Sequence, residues 1–293
     1  MHPPPLQLPD ELLHRGTRII MVIGASDTGK TTLIEGLAGL LAKEARIGIV
    51  DLDMGQSHLG PPTTIAWGKI EGAFPGWENI AVERFYFTGT TTPMGSLLPT
   101  LVGAKLLTDE AASLCNKVII DTTGLIADPP GRVLKQSKID LLAPDIVIAL
   151  ENAGELEDIL QAFRLTVSPR IHRRKALEAA RTKTPASRGL YRYQQMRSYL
   201  RRAQVRTAHL DSTAVRFTRE ALPFYGEYLV NRIVSFRNAQ NRDTALGVIE
   251  RVQENKGALL IRTPLGADEP FACIVVGKAE MDREREVVRE LSR

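Results

Sequence analysis

The sequence predicts an α/β fold: a parallel sheet with helices on both faces, followed by a smaller β-rich C-terminal domain. Three observations predict it. Short apolar runs that end in Asp or Gly alternate with amphipathic stretches through the first half of the chain, the pattern of strands buried on both faces. A glycine-rich turn joins the first such run to the first helix. After about Val205 the texture changes to strand-like runs separated by Asn/Gly turns, as expected of hairpin-connected β-structure.

Taken in order, Arg18–Ile23 reads as a strand, Thr31–Lys43 as a helix and Ile47–Asp51 as a second strand. Ala104–Leu114 reads as a helix, and Lys117–Asp121 and Asp145–Leu150 as further strands. The basic stretch that follows reads as mostly helical, broken near Pro185 and Gly189. Ile233–Phe236, Ala245–Arg251, Ala258–Arg262 and Phe271–Val276 read as strands, and the segment from Met281 as a charged amphipathic helix. The expected organisation is an N-terminal tail at 1–17, a main domain at 18–205 with an arginine-rich helical lid at about 164–205, and the β-rich domain at 206–293. No internal repeat is visible.

Composition excludes several classes. Of the 293 residues 43% are hydrophobic, enough for a real core. The longest apolar runs, such as the five residues Ile19–Ile23, fall far short of the roughly 18 that a membrane span needs. The proline-rich start, Met1 to Asp10, lacks the basic and apolar regions of a signal peptide. Cys115 and Cys273 stand far apart with no CxxC or Cys/His cluster, so neither a disulfide framework nor a zinc site is expected, and the setting reads as a reducing cytoplasm. His14, His58, His172 and His209 likewise lack metal-ligand spacing. The net charge of +4 conceals an asymmetry. Arg164 to Arg206 contains eleven Arg and two Lys against the single acid Glu178, a charge block that points to an anionic partner or a solvated helical face.

The strongest chemical signal is Gly24-Ala25-Ser26-Asp27-Thr28-Gly29-Lys30-Thr31. It fits G-x-x-x-x-G-K-[ST] between a strand and a helix, which is the context a phosphate-binding loop requires. The backbone N–H groups of 24–32, Thr32 included, would curl around phosphates at a helix N-terminus. Lys30 would bridge the β- and γ-phosphates, and the Thr31 hydroxyl would ligate Mg²⁺. The implied cofactors are ATP and Mg²⁺. At the end of the next strand, Asp51 and Asp53 alternate along extended chain and leave it on the same side. One of them is read as a water-mediated Mg²⁺ ligand, the other as the acceptor of a hydroxyl proton. Asp121, at a third strand end, is an alternative metal-side carboxylate. Asn241-Arg242-Asp243 superficially matches the guanine-reading motif of GTPases and reads better as a polar turn.

Further motifs in order along the chain sharpen this. Asp53-x-Gly55-Gln56, then Thr91-Thr92-Pro93-x-Gly95, then Thr122-Thr123-Gly124, then arginines on the lid helix, together resemble the polynucleotide 5′-hydroxyl kinase family. Its eukaryotic members act in mRNA 3′-end cleavage, tRNA splicing and pre-rRNA processing. The resemblance covers roughly residues 18–205 and implies a P-loop kinase sheet in a short form without the N-terminal domain of longer relatives. It implies that Asp53 is the catalytic carboxylate that engages the 5′-hydroxyl, with Gln56 beside it. Thr91 and Thr92 would lie in a clasp on the acceptor end, with Thr123 and Gly124 nearby. Arg192 and Arg197 would be paired lid arginines. Leu125 stands where the family carries a base-stacking Trp, and neither Trp67 nor Trp77 can be assigned that job from sequence.

The expected activity is ATP-dependent transfer of the γ-phosphate to the 5′-hydroxyl of single-stranded or end-exposed RNA or DNA, with no membrane partner. A P-loop GTPase or small-molecule kinase, and a non-catalytic nucleotide-dependent RNA-processing assembly factor, are the alternatives.

Overall fold

The computed structural model describes residues 10–176, 184–218 and 226–290. The proline-rich start at 1–9, part of the basic stretch at 177–183 with Glu178, and the last three residues lie outside the described residues.

The first sheet has seven strands. β1 (Ile19–Gly24) leads into α1 (Lys30–Leu41), followed by β2 (Ile47–Leu52), β3 (Thr64–Ile70) and β4 (Val82–Phe87). Then come α2 (Leu97–Leu114), β5 (Lys117–Thr122), α3 (Asp128–Leu142), β6 (Ile146–Glu151), the short α4 (Glu157–Leu160) and β7 (Arg170–Lys175). The order across the sheet is β4-β3-β2-β5-β1-β6-β7, and β2, β5, β1, β6 and β7 run parallel. β1, β2 and β5 are almost wholly buried, which is why they appear in sequence as unbroken apolar runs. Because these strands are parallel, Gly24, Leu52 and Thr122 all finish at one edge, where ligands bind in such sheets.

The C-terminal half begins with α5 (Pro185–Tyr199) and continues through β8 (Gln204–His209), β9 (Ala214–Phe217), β10 (Arg232–Arg237), β11 (Asp243–Gln253), β12 (Ala258–Thr263), β13 (Cys273–Asp282) and β14 (Val287–Glu290). The second sheet runs β14-β13-β10-β11-β12-β8, with β9 beside β13. Residues alternate between two cores along its strands. Ile233, Leu246, Val275 and Val288 face one with Tyr193, Met196 and Leu200 of α5 and the turn after it; Val234, Ala245, Ile274 and Ile261 face the other.

Contacts divide the chain into two compact units, one of 1–53, 66–84 and 104–182, the other of 54–65, 85–103 and 183–293. The boundaries differ from a single cut after 205. The apolar seam of α5 is buried in the core of the second sheet, so burial groups the helix with the C-terminal strands.

Three expectations are corrected. Arg170–Lys175 is a strand, not helix, paired in parallel with β6 from Ile146↔Arg170 to Glu151↔Lys175; backbone pairing at a sheet edge leaves its basic side chains half-buried or exposed. Pro185 opens α5 rather than breaking a helix, in the first-turn position where its missing N–H costs nothing, and Gly189 sits inside the helix. The final segment forms no helix: Met281 and Asp282 end β13, which turns back to pair with β14 from Asp282↔Val287 to Ala279↔Glu290. Val288 is fully buried there, and cross-strand burial overrides the helix propensity of a Glu/Arg-rich run.

Candidate functional site

In the first unit the phosphate loop follows from steric demands. A Cβ at Gly24 would meet the Leu150 carbonyl oxygen at 2.7 Å and Thr28 Oγ1 at 2.8 Å. Gly29 takes φ 87°, the left-handed region that glycine enters freely. Asp27 also has positive φ, 59°, so the loop curls back. The Ala25 carbonyl accepts from Thr28 Oγ1 at 3.0 Å and from Lys30 Nζ at 2.6 Å. No side chain caps α1, which leaves its first amides available to an anion. Thr31 is half-buried and Thr32 exposed on the first turn, and Ser26 is exposed on the loop.

The carboxylates separate into two kinds. Asp51 and Asp121 are register partners on neighbouring parallel strands, and both are buried. Asp51 Oδ1 accepts the N–H of Asp53 at 2.9 Å, so it shapes the turn after β2. Asp53 is half-buried and keeps access to solvent. Burial, then the neighbouring Asp51 charge, pushes the Asp121 carboxyl up to about 8 against the pull of Lys30. Its Oδ1 is buried with no hydrogen-bond partner among the described residues.

Sequence reading missed two members of this site. Lys135 and Lys138 lie three apart on α3, hence on one face, and both are fully buried. Lys135 Nζ donates to the Thr123 carbonyl at 2.5 Å and to Thr123 Oγ1 at 3.4 Å. Lys138 Nζ has no hydrogen-bond partner among the described residues. Burial lowers the Lys138 ammonium to about 8, opposed by Asp53, Asp121 and Asp51. Burial also holds Lys135 well below the ordinary lysine value, with Lys138 and Lys30 adding repulsion. Gly124, next to Thr123, packs so closely on Ser26 that a Cβ would overlap the Ser26 backbone. Lys135 thus holds the turn after β5 against the phosphate loop. A helix with lysines at i and i+3 reads as a solvated face; only its packing in the fold reveals the burial.

A loop of curled amides with Lys30, a threonine at the first helical turn and a buried, orphaned carboxylate oxygen suit a triphosphate with a divalent cation. Thr31 and Asp121 are the residues fitted to hold that cation, Asp121 directly or through water.

In the second unit, Gln56 lies in a segment held by α5. The Gly55 carbonyl accepts from Arg192 Nη1 at 3.4 Å, and the Ser57 carbonyl accepts from the Tyr191 hydroxyl at 3.2 Å. Arg192 Nε also donates to the Val288 carbonyl at 3.1 Å. Arg197 does not accompany Arg192: five residues turn a helix by about 140° past a full turn, and Arg197 is exposed on another face. Thr91 and Thr92 donate their backbone N–H groups to Glu290 Oε1 at 3.0 and 3.2 Å, and Lys278 lies 3.4 Å from the other Glu290 oxygen. Thr92 Oγ1 accepts from Met94 N at 3.5 Å at the turn of the T-T-P-x-G segment.

Two other sequence questions resolve. Asp243 is a structural residue, buried and paired with Arg237 at 2.8 Å, and the Asn238–Arg242 segment is a turn. Trp67 is fully buried in β3, and Trp77 Nε1 donates to Glu35 at 2.7 Å. No cluster of potential metal ligands of three or more His, Cys, Asp or Glu occurs among the described residues.

Fold and site together define a P-loop nucleotide-binding protein. The family model described as mRNA cleavage and polyadenylation factor CLP1 P-loop matches residues 24–202, more than half of the chain. The chain belongs to that CLP1 P-loop family. A relative from Methanocaldococcus jannaschii, named polyribonucleotide 5′-hydroxyl-kinase, is 34% identical over 212 residues, covering 72% of this chain and 57% of its own length. One of the same name from Pyrococcus horikoshii is 39% identical over 145 residues, covering 49% of this chain and 40% of its own. The chain therefore spans about half the length of the curated relatives it matches. Solved structures of Clp1p with Pcf11p share the fold, with TM-scores of 0.72 and 0.74 at 15% and 14% identity; they cover 90% and 92% of this chain, which covers 74% and 76% of theirs.

Proposed function

We propose that this protein is an ATP-dependent polynucleotide 5′-hydroxyl kinase whose acceptor is RNA. The observation that carries the reading is the site at the edge of the parallel sheet. A closed phosphate loop with Lys30, a buried Asp121 and a solvent-accessible Asp53 lie on neighbouring strand ends. The relatives named polyribonucleotide 5′-hydroxyl-kinase support the choice of reaction and of RNA.

In this reading the loop amides and Lys30 bind the β- and γ-phosphates of ATP. Thr31 and Asp121 would hold Mg²⁺, which when bound would supply positive charge to the phosphate oxygens. Asp53 orients the acceptor's 5′-hydroxyl and takes its proton as the O5′–Pγ bond forms and the bond from Pγ to the bridging oxygen breaks, leaving ADP. Arg192, on α5, is read as a lid arginine that compensates phosphoryl charge when both substrates are bound. Gln56, Thr91, Thr92, Thr123 and Gly124 are the acceptor-side residues. Two free cysteines, Cys115 and Cys273, support a reducing, cytoplasmic setting.

The test is transfer of labelled γ-phosphate from ATP to matched 5′-hydroxyl RNA and DNA oligonucleotides. Wild type labels RNA; Lys30→Ala loses about a hundredfold or more, and Asp53→Asn fails on the same substrates while still binding ATP. Near-normal turnover by Asp53→Asn removes its role as base. ATP binding with no labelled oligonucleotide shifts the reading to an assembly factor.

A further inference from the structure

A second basic feature is built from residues outside the phosphate loop. Within the C-terminal unit, an open cavity of about 660 Å³ is lined by Arg197, Arg201, Arg262 and Arg283. That volume falls inside the range of about 300–1,000 Å³ typical of ligand pockets. Three separate elements deliver the arginines. Arg197 and Arg201 stand one turn apart on α5 and the short turn after it, Arg262 is on β12, and Arg283 follows β13. Among the described residues, no acidic residue lines the cavity. The acid that meets these arginines from beside it is Glu250, on β11, which pairs with Arg262 at 2.5 Å and with Arg283 at 3.1 Å. The four guanidiniums therefore keep a net charge of +3 with Glu250 counted.

Arg197 and Arg201 form no ion pair among the described residues. Arg201 donates to Ser198 Oγ at 3.5 Å. The wall that holds them also presents Gln194 and Ser198, two polar side chains without charge, and Leu200 and Met281 supply apolar surface. Guanidinium forks match phosphate oxygens two at a time. Neutral donors beside them suit sugar hydroxyls, and apolar surface suits ribose or base. A protein strand would need an exposed backbone edge, and the cavity offers side-chain donors instead.

We propose that this cavity binds the sugar–phosphate backbone of a single-stranded polynucleotide. In the kinase reading, on which the identity of the strand rests, these are nucleotides downstream of the 5′ end. Arg197 is then a strand-binding residue, separate from Arg192, because their helix phase sends them to different places.

The experiment measures binding, so its outcome is independent of phosphoryl transfer. Fluorescence anisotropy of the full chain follows a labelled single-stranded RNA of about 12 nucleotides, in the size range that single-strand grooves accept. The test variant is Arg201→Ala/Arg283→Ala. A control, Arg164→Ala/Arg170→Ala, removes the same charge from a different cavity, in the first unit. The expected result is a Kd raised about tenfold or more for the test variant, with its salt slope reduced by about 1.4 for two lost phosphate contacts. The control stays near wild type, and thermal melting confirms that both variants fold. Inorganic phosphate and a mononucleotide compete weakly; unlabelled RNA competes fully. Equal losses in both double variants would reduce the effect to net charge and overturn the proposal. So would displacement of the RNA by a polyglutamate peptide of matched charge as effectively as by RNA, which would mark an acidic-protein site. If wild type binds RNA through this cavity but transfers no phosphate, the kinase reading fails and the cavity stands. If transfer occurs but the test variant binds as tightly as wild type, the cavity assignment fails and the kinase reading stands.

Discussion

Asp121 on β5 and Lys138 on α3 are buried with Oδ1 and Nζ lacking hydrogen-bond partners among the described residues, whereas on β10 and β11 the buried Arg237 and Asp243 have every polar atom engaged. Arg237 Nε and Nη2 meet the two Asp243 oxygens at 2.8 and 3.2 Å, Ser235 Oγ donates to one at 2.8 Å, and the Phe87 N–H donates to the other at 3.0 Å. Asn241 accepts the remaining Arg237 amine at 3.2 Å. Both clusters bear a desolvation cost, and they differ in what offsets it. The second is closed and belongs to folding. The first holds charged groups whose ionisation burial has shifted, Asp121 upward and Lys138 downward, and spare atoms that a phosphate or cation can use.

The largest effect that would break this contrast is on stability. Asp243→Ala leaves Arg237 buried without its partner, so denaturant unfolding should show a loss of about 3–5 kcal/mol. Transfer per folded molecule should not change. Lys138→Met should do the reverse, raising stability by removing a buried ammonium while slowing transfer about a hundredfold through loss of positive charge beside Asp53 and Asp121. A stability loss in Lys138→Met like that of Asp243→Ala would erase the distinction.

The pH dependence sharpens it further. Asp121 has a folded value raised to about 8, so its contribution is full below the unfolded carboxyl value and is lost as pH rises through the folded one. With metal chelated, melting temperature should therefore fall in wild type relative to Asp121→Asn between about pH 4 and about pH 8. A difference that stays flat over that range would show that the ionised Asp121 is compensated by a cation such as Lys30 or by a hydrogen-bond donor, so that its value is not raised. The smallest effect is at the clasp. Glu290→Gln should cost about 1 kcal/mol by weakening the acceptor of the Thr91 and Thr92 amides, measured by the same unfolding curves.

Legibility in the sequence tracked how local each feature is. Gly24 to Thr31 could be read because curled amides, lysine and helix start are consecutive in the chain. β1, β2 and β5 could be read because burial on both faces leaves only apolar residues. Asp53 was legible from its place at a strand end, but its difference from Asp51 was not, since that depends on the register of β2 with β5 and on the Asp53 amide turning back to Asp51. Arg170–Lys175 looked helical because nothing in a run of basic residues reports the edge of a sheet. The Glu/Arg turn between β13 and β14 misled for the same reason.

By itself, the sequence determined the phosphate loop, the parallel strands, the apolar seam of α5 and the order of motifs that marks the family. These are set by contiguous residues or by a simple period, so neighbouring side chains carry the whole signal. Only the tertiary structure decided that Lys135 and Lys138 are buried, Lys135 against the Thr123 carbonyl, that Asp121 pairs in register with Asp51, and that Arg192 reaches the Gly55 and Val288 carbonyls while Arg197 lines a cavity with Arg262 and Arg283. Each of these depends on which face of an element meets which neighbour. Burial and register are properties of residues far apart in the chain, and they alone convert an ordinary lysine or arginine into a charge with a task.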